Sequence, residues 1–361
     1  MDAEVGVVGA GVVGSAVALA LARRGVSVVL MEAEDEPGLA ASGTNSGIVH
    51  TGFDSIPGEV ETELILRSAQ LRGAVFEALG VPLLRCGALL RPLEEEQRGE
   101  VAAIGANAAT NGVEATLRDD GALEIPGESV TDPVAYTLAL AGAAVRLGAE
   151  LRTGVRVESL DGLNCRVIVN CAGLFADEVA RLAGDDSFEI YPRKGEFLVF
   201  EPPRDETLER ILLPVPTKRT KGVLVFPTLD GKVVAGPTAV DLDDKHDWSV
   251  RPEAADEILP KAISMWPPLE GAEQVGAYAG LRPAGRGVNY IIGPSQARRG
   301  LLNVAAIRST GLTASLGIAE RVTSLVAELG VELGPEQPLE PAPIQPHRLA
   351  WWRRTKEYRE A

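Results

Sequence analysis

Three glycines near the N-terminus have the spacing of a phosphate-binding turn. Gly9, Gly11 and Gly14 follow the apolar run EVGVV and precede a stretch rich in alanine and leucine, so the pattern predicts a strand, a tight turn and a helix. A second apolar run, VSVVLM, leads to Glu32, whose carboxylate can accept both hydroxyls of a ribose. In such a turn, glycine lets the backbone approach a pyrophosphate and lets helix and strand pack closely. The sequence therefore predicts a βαβ unit that binds a dinucleotide lacking a 2′-phosphate.

A loop of small polar residues with one histidine follows Glu32. Residues 40–54 read AASGTNSGIVHTGFD, and small side chains permit close approach to a flat ring. Because imidazole titrates near neutral pH, His50 is the expected general base or a contact to the cofactor. Two alternatives stay open, a purely structural histidine and covalent attachment of the cofactor through His50.

The loop resembles part of a known family, and four later stretches strengthen the resemblance. They are residues 87–90 with 131–137 (GALL, TDPVAYT), 168–176 (IVNCAGLFA), 191–197 with 226–238 (YPRKGEF, FPTLDGKVVAGPT) and 280–283 with 307–315 (GLRP, IRSTGLTAS). In this order they resemble the FAD-dependent oxidoreductases of the D-amino-acid oxidase (DAO) superfamily. The similarity is greatest to its glycerol-3-phosphate dehydrogenases of the anaerobic type and its L-2-hydroxyglutarate oxidases, and the RSTGLTAS segment favours the former branch.

The resemblance and the alternation of apolar runs with helical patterns predict the fold class α/β, or α+β overall. We expect a Rossmann-like FAD-binding domain from residues 1–78, 131–184 and 273–334. A mixed β-sheet substrate-binding domain, residues 79–130 and 185–272, is inserted into it. Residues 335–361 form a proline-rich linker and a C-terminal tail.

The resemblance also implies a set of residues that contact FAD. A helix opening at Gly311 would stabilise negative charge on the reduced ring. The expected contacts are Gly9, Gly11, Val13, Gly14, Glu32, Ala33, Ser42, Asn45, Ser46, Gly47, His50, Val157, Ala172, Gly173, Arg282, Gly311, Leu312 and Thr313.

Three cations join His50 as expected catalytic residues. In the resembling family the arginine of GLRP, here Arg282, binds the phosphate or carboxylate of the substrate, and a guanidinium grips two oxygens at once. Lys194 and Arg308 are expected to add positive charge above the flavin. For each of the three, an ion pair or a solvated surface position is the structural alternative.

These residues together predict transfer of a hydride from a small anionic secondary alcohol to FAD. The first candidate substrate is sn-glycerol 3-phosphate and the second is a 2-hydroxy acid, while C–N oxidation of an amino or imino acid stays open. An alternative of another class is an electron-transfer subunit of a larger complex. Because the cysteine-rich iron–sulfur domain of some relatives is not found in the sequence, the electron acceptor is open among oxygen, a quinone and a partner iron–sulfur protein.

The composition excludes several other classes of function. Against 35 lysines and arginines stand 51 aspartates and glutamates, a net charge of -16 that disfavours nucleic acid as a partner. No histidines or cysteines occur at metal-ligand spacing, so no metal site is expected. The uncharged residues 5–22 are interrupted by glycines, and the N-terminus is not basic, so we expect a cytoplasmic protein without a transmembrane segment.

The tail, residues 347–361, differs in charge from the rest of the chain. It carries Trp351, Trp352 and Tyr358 among five lysines and arginines and two glutamates. Either the aromatic residues fold back onto the protein, or the tail contacts a partner protein or a membrane surface.

Overall fold

A computed structural model of the chain describes residues 3–216, 222–341 and 349–360. His347, where the basic tail was taken to begin, and residues 342–346 of the proline-rich linker lie outside the described residues. Within them the strands are β1 Ala3–Val8, β2 Val28–Met31, β3 Ile48–Val49, β4 Leu83–Leu84, β5 Ala88–Arg91, β6 Thr116–Leu117, β7 Leu123–Ile125, β8 Ser129–Thr131, β9 Glu150–Arg152, β10 Cys165–Asn170, β11 Ile190–Glu201, β12 Ile211–Pro214, β13 Leu224–Pro227, β14 Val233–Gly236, β15 Val240–Asp241, β16 Glu273–Gly285, β17 Ile291–Pro294 and β18 Leu301–Ala305. The helices are α1 Val12–Ala22, α2 Val60–Leu79, α3 Arg98–Thr110, α4 Pro133–Arg146, α5 Ala176–Arg181, α6 Ala254–Met265, α7 Gly311–Glu328 and α8 Trp351–Glu360.

A first sheet carries the predicted βαβ unit. Its strand order in the described residues is β17-β18-β10-β1-β2-β9, and β1 runs parallel to both β2 and β10. Helices α1, α4 and α7 pack together beside this sheet, and their alanines and valines fill its core. A side chain at Gly14 would collide with the carbonyl of Gly9, so only glycine lets α1 pack this close to the turn. The mixed α/β fold expected from the sequence is confirmed.

A second, larger sheet lies beside the first. Strand β11 pairs along its whole length with β16, antiparallel, and Arg193 stands directly opposite Arg282. Residues 273–285, expected in the FAD-binding domain, thus pair with a strand of the inserted sheet. The reason is that the backbone groups of β11 find their hydrogen-bond partners on β16.

A third, small sheet joins distant parts of the chain. Strand β8 pairs with β3, so Ile48 lies opposite Val130 and Val49 opposite Ser129. Continuing this antiparallel register by one residue brings His50 next to Glu128. The small sheet therefore positions a histidine beside a carboxylate that is 78 residues away in sequence.

The chain after β9 turns away from the first sheet instead of continuing as a strand. Strand β9 ends at Arg152, and the following residues turn towards the end of β2. There the amides of Gly154 and Val155 donate to the carbonyls of Glu34 and Glu32, at 2.9 and 2.8 Å. The backbone satisfies its donors with these bonds rather than by extending the sheet.

The tail folds back onto the protein. Helix α8 packs against β16 and α4, and the side chains of Trp351 and Trp352 are buried, at 2% and 7% exposure. This is the first of the two alternatives for the tail. Among the described residues, we find no helix with the length and apolarity needed to cross a membrane.

Candidate active site

A first cleft, which we call the cofactor cleft, lies at the carboxyl ends of β1 and β2. It has a volume of about 410 Å³. Twelve of the residues expected to contact FAD line it: Gly9, Gly11, Val13, Glu32, Ala33, Ser42, Asn45, Val157, Ala172, Gly173, Gly311 and Leu312.

The N-terminus of α1 faces this cleft and suits a pyrophosphate. Helix α1 begins at Val12, its N-cap residue Gly11 has no side chain, and the amide of Val12 donates to the Oγ of Ser42 at 2.9 Å. A Cβ at Gly11 would meet only that hydroxyl, at 3.0 Å, so the space before the helix is open. Partial positive charge and free backbone donors at a helix N-terminus attract phosphate oxygens.

Glu32 lies at the other side of the cofactor cleft, where a ribose would bind. Its carboxylate accepts hydrogen bonds from the amides of Ala10, at 2.7 Å, and Glu34, at 3.1 Å. Burial raises the pKa of Glu32, although these amide bonds act in the opposite direction. The cleft thus offers donors for a pyrophosphate and a fixed carboxylate for a ribose, so its residues fit FAD.

A second cleft, which we call the substrate cleft, adjoins the first. It has a volume of about 430 Å³, and Ala41, Asn45 and Arg308 line both clefts. His50, Ser46 and Arg282, all expected at the cofactor, line this second cleft. A ring placed across the shared boundary would face both groups of residues.

His50 forms a buried pair with Glu128. Its Nδ1 lies 2.7 Å from Oε2 of Glu128, whose side chain is fully buried. The other carboxylate oxygen of Glu128 accepts from the amide and the hydroxyl of Thr51, at 2.6 and 2.9 Å. An ionised carboxylate can only accept, so Nδ1 is the donor of this pair, and in the neutral imidazole Nε2 is then the acceptor nitrogen of His50.

The backbone on either side of this pair is also fixed. The guanidinium of Arg72 donates to the carbonyls of Val49 and His50, at 3.2 and 2.9 Å. The amide of His50 donates to the Oγ1 of Thr313 at 3.2 Å, so Thr313 supports the histidine without lining either cleft. The imidazole is therefore held in one orientation before any ligand binds.

Two arginines from facing strands lie in the substrate cleft. Arg193 binds Asp241 with two N–H groups, at 2.6 and 3.1 Å, whereas Arg282 donates to the carbonyl of Thr238 at 3.3 Å. Burial and the neighbouring charge of Arg193 lower the pKa of Arg282 to about 10, so it is cationic at neutral pH. Any side chain at Gly195 would overlap the guanidinium of Arg282, so this glycine makes room for it.

Arg308 also belongs to the site. It lies at the boundary of the two clefts in a left-handed backbone conformation, with φ 55°, and binds Glu61 at 2.9 Å. A non-glycine residue in this conformation is uncommon and is often found at functional sites.

Lys194 does not lie in the substrate cleft. Its buried ammonium donates to the carboxylate of Asp247 at 2.7 Å and to the carbonyl of Ser249 at 3.0 Å. Successive residues of a strand point to opposite faces, and Arg193 takes the face towards the cleft. Lys194, expected to add charge above the flavin, thus points away from this cleft, and its neighbour Arg193 lines the cleft instead.

Two further expected contacts act through the backbone. Gly14 and Gly47 line neither cleft. Gly14 permits the packing of α1, and Gly47 has a φ of 79° at the turn that leads into β3. Among the described residues, no group of three or more histidine, cysteine, aspartate or glutamate side chains is arranged to hold a metal ion.

Comparison with known proteins identifies the family. A model of the FAD dependent oxidoreductase family DAO matches residues 4–325, and the chain belongs to this family. This confirms the resemblance, the FAD cofactor and the classification as an FAD-dependent oxidoreductase.

Several members of the family are similar to this chain. A glycerol 3-phosphate dehydrogenase of Caloramator mitchellensis is 27% identical over 367 residues, covering 94% of this chain and 76% of the relative. A glycerol 3-phosphate oxidase of Mycoplasma pneumoniae is 27% identical over 361 residues, covering 90% and 94%. A mitochondrial L-2-hydroxyglutarate dehydrogenase of Mus musculus is 28% identical over 277 residues, covering 64% and 60%.

A solved structure is similar over nearly the whole fold. The L-alpha-glycerophosphate oxidase of Mycoplasma pneumoniae, reduced and with FAD bound, has a TM-score of 0.86 and 26% identity. The alignment covers 96% of this chain and 99% of that one. The enzyme is thus of the glycerol-3-phosphate dehydrogenase and oxidase type.

Proposed function

We propose that this enzyme oxidises the secondary alcohol of sn-glycerol 3-phosphate to the corresponding ketone. One observation carries the proposal: the substrate cleft holds an acceptor nitrogen, Nε2 of His50, together with the guanidinium of Arg282, and it adjoins the cofactor cleft. An anionic alcohol needs a base for its hydroxyl proton and a cation for its far end.

His50 acts as the general base in this proposal. Its Nε2 accepts the hydroxyl proton as the C–H bond of the same carbon breaks. When bound, FAD supplies the hydride acceptor. Glu128 keeps Nδ1 protonated and stabilises the imidazolium that forms, because a buried carboxylate 2.7 Å away favours the positive charge.

Arg282 binds the phosphate. A desolvated guanidinium makes strong paired hydrogen bonds to an anion, and Arg193 on the facing strand adds a second positive charge. Arg193 is already bound to Asp241 and so contributes mainly through its field and through the shape of the cleft.

Aromatic side chains form a further wall of the substrate cleft and exclude water from it. Phe197 and Phe226 line the substrate cleft, are nearly fully buried, and pack edge to face with ring centres 6.4 Å apart. A dry wall strengthens the interactions of His50 and Arg282 with the substrate.

A 2-hydroxy acid is the second candidate substrate. The same base and cation would serve it, and the relative from Mus musculus named for L-2-hydroxyglutarate supports it. For the electron acceptor we propose oxygen, on the basis of the similarity to the Mycoplasma pneumoniae oxidase.

A turnover assay tests the substrate assignment. The isolated enzyme is given sn-glycerol 3-phosphate, L-2-hydroxyglutarate or a set of amino acids with an artificial acceptor, and kcat/KM is compared. We expect the phosphorylated alcohol to give the highest value, and peroxide to form when oxygen replaces the acceptor. A higher value with a hydroxy acid or an amino acid would overturn the assignment.

A further inference from the structure

An acidic segment follows the ribose-binding carboxylate. Glu34, Asp35 and Glu36 come directly after Ala33, and the chain then continues as the small-residue loop that lines the cofactor cleft. We call residues 34–45 the cofactor loop. Negative charge beside a site for a diphosphate repels the ligand unless it is neutralised.

Helix α8 supplies the neutralising charge. The guanidinium of Arg354 forms an ion pair with Glu36, and the side chain of Arg354 is 6% exposed. Arg359 donates to the carbonyl of Leu39 at 3.0 Å and lies 3.6 Å from the carboxylate of Glu34. Two basic residues of the tail, Arg354 and Arg359, thus contact the cofactor loop.

Side-chain hydroxyls of α8 also lie close to the cofactor loop. A Cβ at Gly43 would lie 2.7 Å from the Oγ1 of Thr355, so glycine is needed for α8 to approach. The hydroxyl of Tyr358 lies 3.3 Å from a carboxylate oxygen of Glu34 and 3.3 Å from one of Asp35, and its single hydrogen is shared between these acceptors. The opposite side of the same loop lines the cofactor cleft through Leu39, Ala40, Ala41 and Ser42.

The helix is anchored away from the loop by its tryptophans. The ring of Trp352 lies where a Cβ at Gly276 would be, only 2.5 Å from that position, and its Nε1 donates to Asp230 at 3.2 Å. Arg359 lies over the ring of Trp248, 4.2 Å from its centre. Strand β16 and α8 are therefore complementary in shape, and the docked position of the tail is built into the fold.

We propose that α8 is a positioning element for FAD: it holds the cofactor loop closed over the cleft, and so sets how tightly the enzyme retains its flavin. This role depends on the FAD cofactor and not on the identity of the substrate. Loss of the α8 contacts leaves an acidic loop that is free to move away from the nucleotide.

Two variants that leave the clefts intact test this role. Arg354→Gln removes the ion pair with Glu36, and Gly276→Ala displaces Trp352 from a position that lines neither cleft. Arg353→Gln is the matched control, because Arg353 is exposed and its contacts, with Glu357 and with the ring of Trp352, lie within α8 rather than with the cofactor loop. Each full-length protein is stripped of flavin and titrated with FAD, with flavin fluorescence as the readout.

We expect the dissociation constant of FAD to rise on the order of tenfold in Arg354→Gln and Gly276→Ala, a size typical of coupling between sites, and to stay unchanged in Arg353→Gln. At saturating FAD, kcat and KM should equal those of the unmodified enzyme, which separates this proposal from the substrate assignment. Equal dissociation constants in all four proteins, or flavin that none of them releases, would overturn it. Circular dichroism of the apo-proteins checks that each variant is folded.

Discussion

The cofactor cleft and the substrate cleft adjoin each other but are built in different ways. The glycine turn of the βαβ unit and the small residues of the loop before β3 line one part of the cofactor cleft, with Glu32 as its fixed carboxylate, and segments that follow β9, β10 and β18 line the rest. The substrate cleft is made by side chains from β11, β16, α2 and the loop after β3. Cofactor binding next to the glycine turn depends on the absence of side chains there. Substrate binding depends instead on which charged side chain stands at each position of the second cleft.

The largest effect is expected from loss of His50, the proposed general base in the substrate cleft. His50→Asn removes the acceptor nitrogen, and general base catalysis contributes about 10²-fold to 10⁴-fold to a rate. We expect kcat to fall by that factor while the dissociation constant of FAD changes little. Rapid mixing with substrate under anaerobic conditions measures the rate of flavin reduction; a rate within threefold of the unmodified enzyme would remove His50 from the mechanism.

The next largest effect is expected from substitution of Arg282, the cation proposed to bind the substrate in the same cleft. Arg282→Lys keeps the charge but loses the planar pair of donors, which is worth roughly 1.5–3 kcal/mol for a charged hydrogen bond, or about 10-fold to 100-fold. We expect KM for the phosphorylated substrate to rise by that factor with FAD still bound. Steady-state kinetics and the flavin content of the purified protein measure both quantities, and an unchanged KM would reject the assignment of Arg282.

A methyl group in the cofactor cleft should weaken FAD binding and leave KM for the substrate unchanged. Gly11→Ala places a Cβ in the open space before α1, and overpacking costs about 1–3 kcal/mol, so the dissociation constant of FAD should rise about tenfold or more. KM at saturating FAD should not change. Gly73→Ala is the control, because a Cβ there meets nothing within 4 Å. Equal FAD binding in the two variants would argue against a pyrophosphate at Gly11.

Substitution of Glu128, the partner of His50, should lower kcat less than substitution of His50 itself. Glu128→Gln keeps the size of the side chain but removes the charge that favours the imidazolium, and loss of one charged hydrogen bond costs about 1.5–3 kcal/mol. We expect kcat to fall about 10-fold to 100-fold, with KM and FAD binding unchanged. A merely structural role of Glu128 would instead lower stability and FAD content without this selective loss of kcat.

The smallest kinetic effect is expected at Lys194. Lys194→Met removes the ion pair with Asp247 on the far face of β11, so KM should stay within about twofold, and the free energy of unfolding should fall by about 1–3 kcal/mol. The pKa of Asp247 is lowered, first by its hydrogen bond with Lys194. The stability that this pair contributes is therefore present above the ordinary pKa of aspartate and is lost as the pH falls through the lowered value. A large rise in KM would instead show that Lys194 contributes to substrate binding.

The sequence predicted the cofactor cleft more fully than the substrate cleft, for a physical reason. Gly9, Gly11 and Glu32 lie in one local pattern, and the turn, helix and strand that they require are set by neighbouring residues. The substrate cleft depends on strand pairing. Glu128 carries no motif of its own, and only the register of β3 with β8 brings it to His50.

Lys194 and Arg193 also show that strand pairing, rather than a local motif, decides which residue lines the substrate cleft. Both lie in the RKGEF motif, and a shift of one position in a strand exchanges the faces of the sheet. The motif alone does not say which of the two cations faces the ligand. The structure resolves this through β16, whose Arg282 lies opposite Arg193 on the cleft side.

The most direct test of the account is the anaerobic visible spectrum of the purified enzyme before and after addition of sn-glycerol 3-phosphate. The account predicts that the flavin absorption band bleaches, and that bleaching is much slower in His50→Asn and needs more substrate in Arg282→Lys. A band that persists with the phosphorylated alcohol but bleaches with an amino acid would contradict the claim that the substrate cleft pairs its base and its cation for an anionic alcohol.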